Sequence, residues 1–221
     1  MSSLVEELQR DALDSRVPLP DVLRGALVVA TKLKLADFRN WVACELNGYG
    51  KDDGLPDYRV IRCQVRSTNP FDGRKIPWKF PTSELEEMVC RRRIAQSVAA
   101  IEQLLLSDTE TELALSFSAE MQDALMQNCD DPFPPVPYST VERSQLCGIL
   151  DAVRNTILNW SLKLEEDGIT GEGMSFSPKE KTIACEQAAN LRPVVNCIMI
   201  EHMENSSIQQ GTCRSRQRHT H

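Results

Sequence analysis

The sequence has few of the residues that build metal sites and disulfide frameworks. Its eight cysteines stand singly, without a C-x-x-C pair, and two of its three histidines fall in the last three residues. Zinc sites need several such ligands at short spacings, and structural disulfides need an oxidising compartment. We therefore expect no metal ion and no cofactor, and we expect cysteines that behave mostly as small buried hydrophobic residues.

The sequence also lacks a long apolar run. The most apolar stretch, GALVVA at residues 25–30, is far shorter than the roughly 20 residues that a membrane helix needs. The first residues, MSSLVEELQRD, contain neither the basic cap nor the apolar segment of a signal peptide. With 26% charged residues and a net charge of −7, the composition is typical of an ordinary soluble protein. We expect a cytoplasmic protein that does not bind membranes.

Common catalytic motifs are absent as well. The chain contains no H-E-x-x-H, no G-x-S-x-G and no P-loop. The loop GITGEGMSF at residues 168–176 has three glycines, but it follows a predicted helix instead of a strand and lacks the Rossmann spacing. A chain reversal between two helices accounts for it. The residues give no basis for naming a reaction, so we favour a noncatalytic protein and leave enzymatic activity open.

Amphipathic helical periodicity dominates what is present. In the longest such segment, which ends at Gly168, the apolar residues fall within about 100° of one another on a helical wheel. They are Leu146, Ile149, Leu150, Val153, Ile157, Trp160 and Leu164. Similar patterns, several with capping-box or proline starts, predict further helices at residues 3–14, 21–34, 36–46, 83–105, 118–128 and 177–189. For the helix at 83–105, a break near Arg91 to Arg93 is left open.

A smaller part of the chain has the alternation of a strand. Residues 58–67 place Arg59, Ile61, Cys63 and Val65 on one side, which predicts a half-exposed strand. Residues 75–80 are its expected partner, and Pro77 restricts them to a sheet edge because proline cannot donate a ladder hydrogen bond. Weaker patterns predict a strand at 112–117, an extended connector at 130–138 and two short strands after residue 193.

These patterns predict an α+β protein that is mostly α-helical. We expect a helical domain over residues 1–190 with a small antiparallel β insertion at 58–80. Residues 191–213 are expected to form a short β segment or linker that serves in oligomer formation. Residues 214–221, which are polar and basic, are expected to form a disordered tail.

Two carboxylates interrupt the apolar faces of predicted helices. Glu45 projects between Phe38 and Trp41, and Asp11 projects beside the first apolar stripe. A carboxylate near a core is costly unless it is paired, and functional sites often collect such residues. They are weak catalytic candidates. The simpler explanation is an ion pair with an arginine such as Arg10, Arg24 or Arg39.

Six arginines form a candidate phosphate or nucleic-acid contact. They occur on the predicted strand and in one consecutive run: Arg59, Arg62, Arg66, Arg91, Arg92 and Arg93. The protein is acidic overall, and no aromatic ladder interleaves with these arginines as single-strand binders require. A solvated face with internal salt bridges is the preferred interpretation, and nucleic-acid binding is not favoured.

Several blocks of the sequence resemble a bacterial abortive-infection domain of the AbiTii type. The resemblance covers about residues 4–188, and blocks in the same order along the chain are more specific than one short motif. The blocks are LVEELQRDALDSRVPLPDVLRGA at 4–26, FRNWVACELNGY at 38–49, PDYRV at 56–60, SELEEMV at 83–89 and LCGILDAVRNTILNWSLKLEEDGITGEGMSFSPKEK at 146–181. The resemblance implies abortive infection, in which a bacterium halts or kills itself before a phage completes replication. It implies no set of catalytic residues.

We therefore expect a component of an antiphage system that acts as a noncatalytic sensor, scaffold or toxin-associated interaction module. Its expected partner is another protein, or a second copy bound through residues 194–210. One alternative is a nuclease-like toxic enzyme in which Asp11, Glu45 and the arginines meet in a cleft. A weaker alternative is a nucleic-acid-binding module that uses the arginines.

Overall fold

The computed structural model describes residues 3–107, 111–127, 129, 134–193 and 197–198. The helices in this part of the chain are α1 (Leu4–Leu13), α2 (Leu19–Leu33), α3 (Ala36–Asn47), α4 (Ser83–Cys90), α5 (Val98–Ser107), α6 (Ala119–Gln127), α7 (Arg143–Glu166) and α8 (Pro178–Glu186). The strands are β1 (Leu55–Pro56), β2 (Val60–Arg62), β3 (Gln64–Thr68), β4 (Lys75–Pro77), β5 (Arg91–Arg93), β6 (Glu112–Ser116), β7 (Pro137–Glu142) and β8 (Cys197–Ile198). The protein is α+β and mostly helical, as the sequence predicts.

Two of the helices begin at capping boxes that the sequence predicts. A capping box opens α1, in which the Ser3 side chain accepts from the Glu6 N–H and the Glu6 carboxylate accepts from the Ser3 N–H. Ser177 and Glu180 do the same for α8. Two backbone donors are satisfied each time, because the first N–H groups of a helix have no partner within it.

A helical core holds α1, α2, α3 and the C-terminal half of α7 together. The ring of Phe38 on α3 stacks on that of Trp160 on α7, with their centroids 3.7 Å apart. Arg154 of α7 donates to the carbonyl oxygens of Asp14 at 3.2 Å and Val17 at 2.8 Å, just past the end of α1. A cation suits this position, since the last carbonyls of a helix lack partners.

A second core lies under an antiparallel sheet with strand order β4-β3-β7-β6. The sheet takes strands from across residues 64–142, so it is larger than the insertion predicted at 58–80. β4 lies at its edge, which agrees with the effect expected of Pro77. The single strand predicted at 58–67 is divided at Cys63, whose N–H donates to the Cys90 carbonyl at 2.8 Å. β2 pairs with β5 in a separate two-stranded ribbon. The helix predicted at 83–105 is therefore divided into α4 and α5, with a strand over Arg91–Arg93 between them.

The long helix α7 joins the two cores. Its N-terminal residues Leu146 and Ile149 pack in the core under the sheet, and Val153 and Ile157 begin the part that packs in the helical core. The apolar stripe seen in the sequence is therefore shared between two cores. β8 pairs with β1, while the other residues of the predicted segment 194–210 and the tail 214–221 lie outside the described residues.

Candidate functional site

Glu45 is fully buried on the inward face of α3. Phe38, Trp41 and Val42 share that face, because residues three and four apart lie on the same side of a helix. The sequence predicts this position, but the partner is not one of the arginines that we expected. Glu45 forms an ion pair with Arg59, which is also fully buried.

Arg59 reaches Glu45 from the end of a 3₁₀ turn, Asp57–Arg59, that precedes β2. Its Nε lies 3.1 Å from one carboxylate oxygen and its Nη2 contacts the other, so the pair is bidentate. Its Nη1 donates to the backbone oxygens of Ile94 at 2.9 Å and Gln96 at 2.7 Å. The guanidinium therefore connects α3 with the segment between β5 and α5, and it is enclosed by its own fold.

Two tyrosines complete the surroundings of Glu45. Their hydroxyls donate to the same carboxylate oxygen, Tyr49 at 2.5 Å and Tyr58 at 2.6 Å. The indole N–H of Trp41 donates to the Tyr58 hydroxyl at 3.0 Å, and the Arg59 guanidinium lies 5.0 Å from the centre of the Tyr49 ring. We call Glu45, Arg59, Tyr49 and Tyr58 the buried cluster.

The electrostatics of the buried cluster favour one protonation state. Burial, and then the neighbouring Glu45 charge, raise the pKa of both Tyr49 and Tyr58 far above its usual value. Burial alone would lower the pKa of Arg59, but the hydrogen bonds and charge of Glu45 outweigh it and raise that pKa. The tyrosines stay neutral and the arginine stays charged. The carboxylate is occupied by these donors and is closed to solvent, an arrangement typical of a satisfied polar network in a protein core.

Asp11, the other weak catalytic candidate, lies on the exposed side of α1. Arg154 contacts the backbone oxygen of Asp11 at 3.2 Å, as part of its contact with the end of α1. Asp11 therefore faces solvent and Glu45 faces the core, so the two carboxylates do not lie in one cleft. The geometry that the nuclease hypothesis requires is not formed by these residues.

The six candidate arginines have different surroundings. Arg59 is withdrawn into the buried cluster and cannot contact a phosphate backbone, so that part of the prediction is wrong. Arg92 is half-buried and lies 5.1 Å from the centre of the Phe117 ring. Arg66 is paired with Glu112 at 3.0 Å. The other three, Arg62, Arg91 and Arg93, are exposed, and among the described residues none has an acidic group within ion-pair distance.

Arg62 lies beside three surface cavities. The first, of about 250 Å³, also contacts Glu112 and Glu142. The second, of about 450 Å³, also contacts Asp57, Glu87 and Arg91. The third, of about 470 Å³, also contacts Lys75, Trp78 and Phe80. These two aromatic residues were not predicted as part of a site, although the segment RKIPWKF at residues 74–80 contains three basic and two aromatic residues. They lie beside the arginines only because β4 pairs with β3.

The glycine loop at residues 168–176 binds a side chain of the same protein. The Glu180 carboxylate accepts from the N–H groups of Thr170 at 3.0 Å and Gly171 at 2.7 Å. The Ser3 hydroxyl in turn donates to the Thr170 carbonyl at 2.7 Å. The loop therefore connects α8 and the start of α1, as expected for a chain reversal, and these N–H groups are not available to a phosphate.

The cysteines differ in burial more than we expected. Cys63 and Cys90 are buried, whereas Cys147 and Cys185 are exposed. Burial, together with the neighbouring Cys90, raises the pKa of Cys63 to about 11. A thiol with such a pKa is a poor nucleophile at neutral pH.

No group of three or more His, Cys, Asp or Glu side chains among the described residues is placed to hold a metal ion. None of the described helices has the length and apolar character required to cross a bilayer.

The comparisons with known proteins identify one relationship. Neither the curated proteins nor the solved structures include one that matches the chain. The AbiTii family model matches residues 3–189, which is most of the 221-residue chain and agrees with the resemblance at 4–188. The chain therefore belongs to the AbiTii family, and its role is in abortive infection, an antiphage defence.

Proposed function

We propose that this protein acts in abortive infection as a noncatalytic interaction module that binds a protein partner through the tip of its β3–β4 hairpin. Phe71 at that tip carries the proposal, because its side chain is 95% exposed. An exposed aromatic ring is well suited to fill an apolar pocket of a partner, since aromatic residues are enriched at the centres of interfaces.

The tip presents Phe71 on an ordered turn, which we call the Phe71 loop (residues 69–74). The Asn69 side chain accepts from the Phe71 N–H at 2.9 Å, and the Asn69 carbonyl accepts from the Gly73 N–H at 2.9 Å. The Asp72 side chain accepts from the Arg74 N–H at 3.0 Å and forms an ion pair with its guanidinium. A loop held in this way loses little conformational entropy on binding, so more of the ring's burial contributes to affinity.

The buried cluster supports the noncatalytic part of the proposal. Glu45 is occupied by Arg59 and two tyrosines, and Asp11 lies apart from it on the surface. The sequence offers no other catalytic motif. A role as sensor, scaffold or toxin-associated module requires only a surface that binds, and the Phe71 loop provides one.

The test is phage challenge of bacteria that express the protein together with its genomic neighbours. We expect Phe71→Ala to abolish protection while leaving protein level and thermal stability unchanged, and Phe71→Leu to retain part of it. Leu106→Ala is the matched control, because Leu106 is 75% exposed at the end of α5 and outside the hairpin. Full protection by Phe71→Ala, or equal loss in the Leu106→Ala control, would contradict the proposal.

A photo-crosslinking residue at position 71 tests the partner directly. During infection it should give one adduct of discrete mass, and that adduct should disappear when the same residue is placed at position 106. Crosslinking only to lipid would refute a protein partner.

A further inference from the structure

Arg62 and Arg91 are placed directly opposite each other in the antiparallel ribbon of β2 and β5. Directly opposed residues of an antiparallel pair point to the same face, with Cα atoms about 4.5–5.5 Å apart. Both arginines are exposed, and like charges in this position are destabilising. No acidic group among the described residues lies within ion-pair distance of either. A bound anion would relieve the repulsion.

Two cavities meet at Arg62, which lines both of them. The first, of about 450 Å³, lies between Arg62 and Arg91 and is also lined by Asp57 and Glu87. The second, of about 470 Å³, reaches Lys75 and is also lined by Glu86. From Gln64 to Thr68, opposite Lys75, β3 advances about 13 Å. We call Arg91, Arg62, Lys75, Trp78 and Phe80 the basic groove.

Two aromatic side chains contribute apolar surface to the same groove. Trp78 and Phe80 are half-buried and line the second cavity together with Arg62. Their position follows from the strand register, in which Arg66 lies opposite Pro77 and the Trp78 N–H donates to the Val65 carbonyl at 2.9 Å. A site with both cations and aromatic rings can bind the phosphates and the bases of a nucleic acid at the same time. An acidic peptide would use the cations and make little use of the rings.

We propose that the basic groove binds a short stretch of single-stranded nucleic acid. Arg62, Arg91 and Lys75 contact phosphates, and Trp78 and Phe80 stack with bases. The proposal is independent of the Phe71 loop, because Phe71 lies beyond the far end of β3 from Arg62. Asp57, Glu86 and Glu87, which line the two cavities, reduce the positive potential, so the affinity should be in the micromolar range typical of nonspecific binding.

Fluorescence anisotropy of the full chain with labelled 12-nucleotide oligo(U) RNA and oligo(dT) DNA tests the phosphate contacts. With three contacts, the logarithm of the affinity should fall with the logarithm of salt concentration at a slope of about −2. Arg62→Ala with Arg91→Ala should weaken binding at least tenfold and reduce the slope by about 1.4. Arg39→Ala with Lys51→Ala is the matched control, because it removes the same charge from exposed positions outside the groove.

Tryptophan fluorescence tests the stacking. Trp78 is half-buried, whereas Trp41 and Trp160 are buried, so bound bases should quench Trp78 first. Trp78→Phe should retain salt-dependent binding and lose the quenching. Quenching that persists in Trp78→Phe would overturn the stacking contact.

Four outcomes would overturn the groove as a single-strand site. They are no binding by the wild type, salt-independent binding, preference for a duplex of the same length, and undiminished binding by the Arg62 and Arg91 double variant. Binding of polyglutamate as tight as that of the oligonucleotides would likewise overturn it, because bases would then contribute nothing. The ratio of RNA to DNA affinity distinguishes the two nucleic acids. Phe71→Ala should bind like the wild type, so failure of the proposed function is distinguishable from failure of the groove.

Discussion

At the residue scale, Glu45 and Arg59 are both fully buried, and each is the charge partner of the other. A buried ion pair gains little net stability over an apolar pair of similar volume, because both charges lose their water. Losing only one partner is different, since the remaining charge is then buried without compensation. The pair therefore makes the protein sensitive to single substitutions at either position.

We expect Arg59→Met to lower the free energy of unfolding by about 3–5 kcal/mol, measured by urea denaturation. Adding Glu45→Gln should restore part of the loss, because the neutral amide oxygen still accepts from Tyr49 and Tyr58. Arg62→Met is the matched control and should change stability by less than about 0.5 kcal/mol, since Arg62 is exposed. If Arg59→Met lowers the free energy of unfolding by less than about 1 kcal/mol, another group must compensate the buried charge of Glu45.

At the element scale, α7 contributes to both cores and its ends are therefore important for the whole fold. Gly148 lies on its exposed side, and no heavy atom of the described residues outside its own stretch of helix lies within 4 Å of where a Cβ would be placed. Gly168, just past its C-terminus, is equally unobstructed but has a φ of +74°. The two positions differ in backbone conformation and not in available space.

This difference predicts opposite effects of alanine at the two glycines. Gly148→Ala should raise the free energy of unfolding by about 0.5–1 kcal/mol, because alanine favours a helix interior over glycine. Gly168→Ala should lower it by about 1 kcal/mol, since a residue with a Cβ is strained at positive φ. Chemical denaturation of both variants checks the prediction, and the same sign of change in both would contradict it.

At the scale of the whole molecule, two cores share one helix, and the segment after residue 193 contacts them through a short pairing. In the described residues that pairing is β8 with β1, in which Leu55 lies opposite Ile198 and Pro56 opposite Cys197. An exposed strand edge can pair with another chain. We therefore propose, separately from the Phe71 loop, that the chain self-associates through residues 194–210.

Light scattering coupled to size-exclusion chromatography tests self-association. The full chain should have a mass that is a multiple of 24.9 kDa, and deletion of residues 194–221 should reduce it to that of the monomer. Deletion of residues 214–221 alone is the matched control and should leave the assembly intact. A monomeric full chain would remove this part of the proposal.

Much of the helical architecture could be predicted locally. The starts at Ser3 and Ser177, the inward face of α3 and the edge position of β4 follow from capping residues, helical periodicity and proline. Family membership could also be inferred, because the matching sequence blocks and their order can be recognised without knowing which residues are in contact. The extent of the sheet could not be predicted, since β3 and β7 are separated by about seventy residues and pair only in the folded chain.

The sequence by itself determined where most of the helices lie, which of their faces point inward and that Glu45 lies in the core, because each depends on neighbours within a few residues. It did not determine the strand at Arg91–Arg93, which forms by pairing with β2. Only the tertiary structure decided that Arg59 is the partner of Glu45, and that Arg62 faces Arg91 beside Trp78. Those contacts join residues far apart in the chain, and their energies depend on burial and strand register, which local periodicity does not encode. The structure thereby divided six similar arginines into one structural residue, two with partners of their own and three exposed cations, of which Arg62 and Arg91 form the proposed groove.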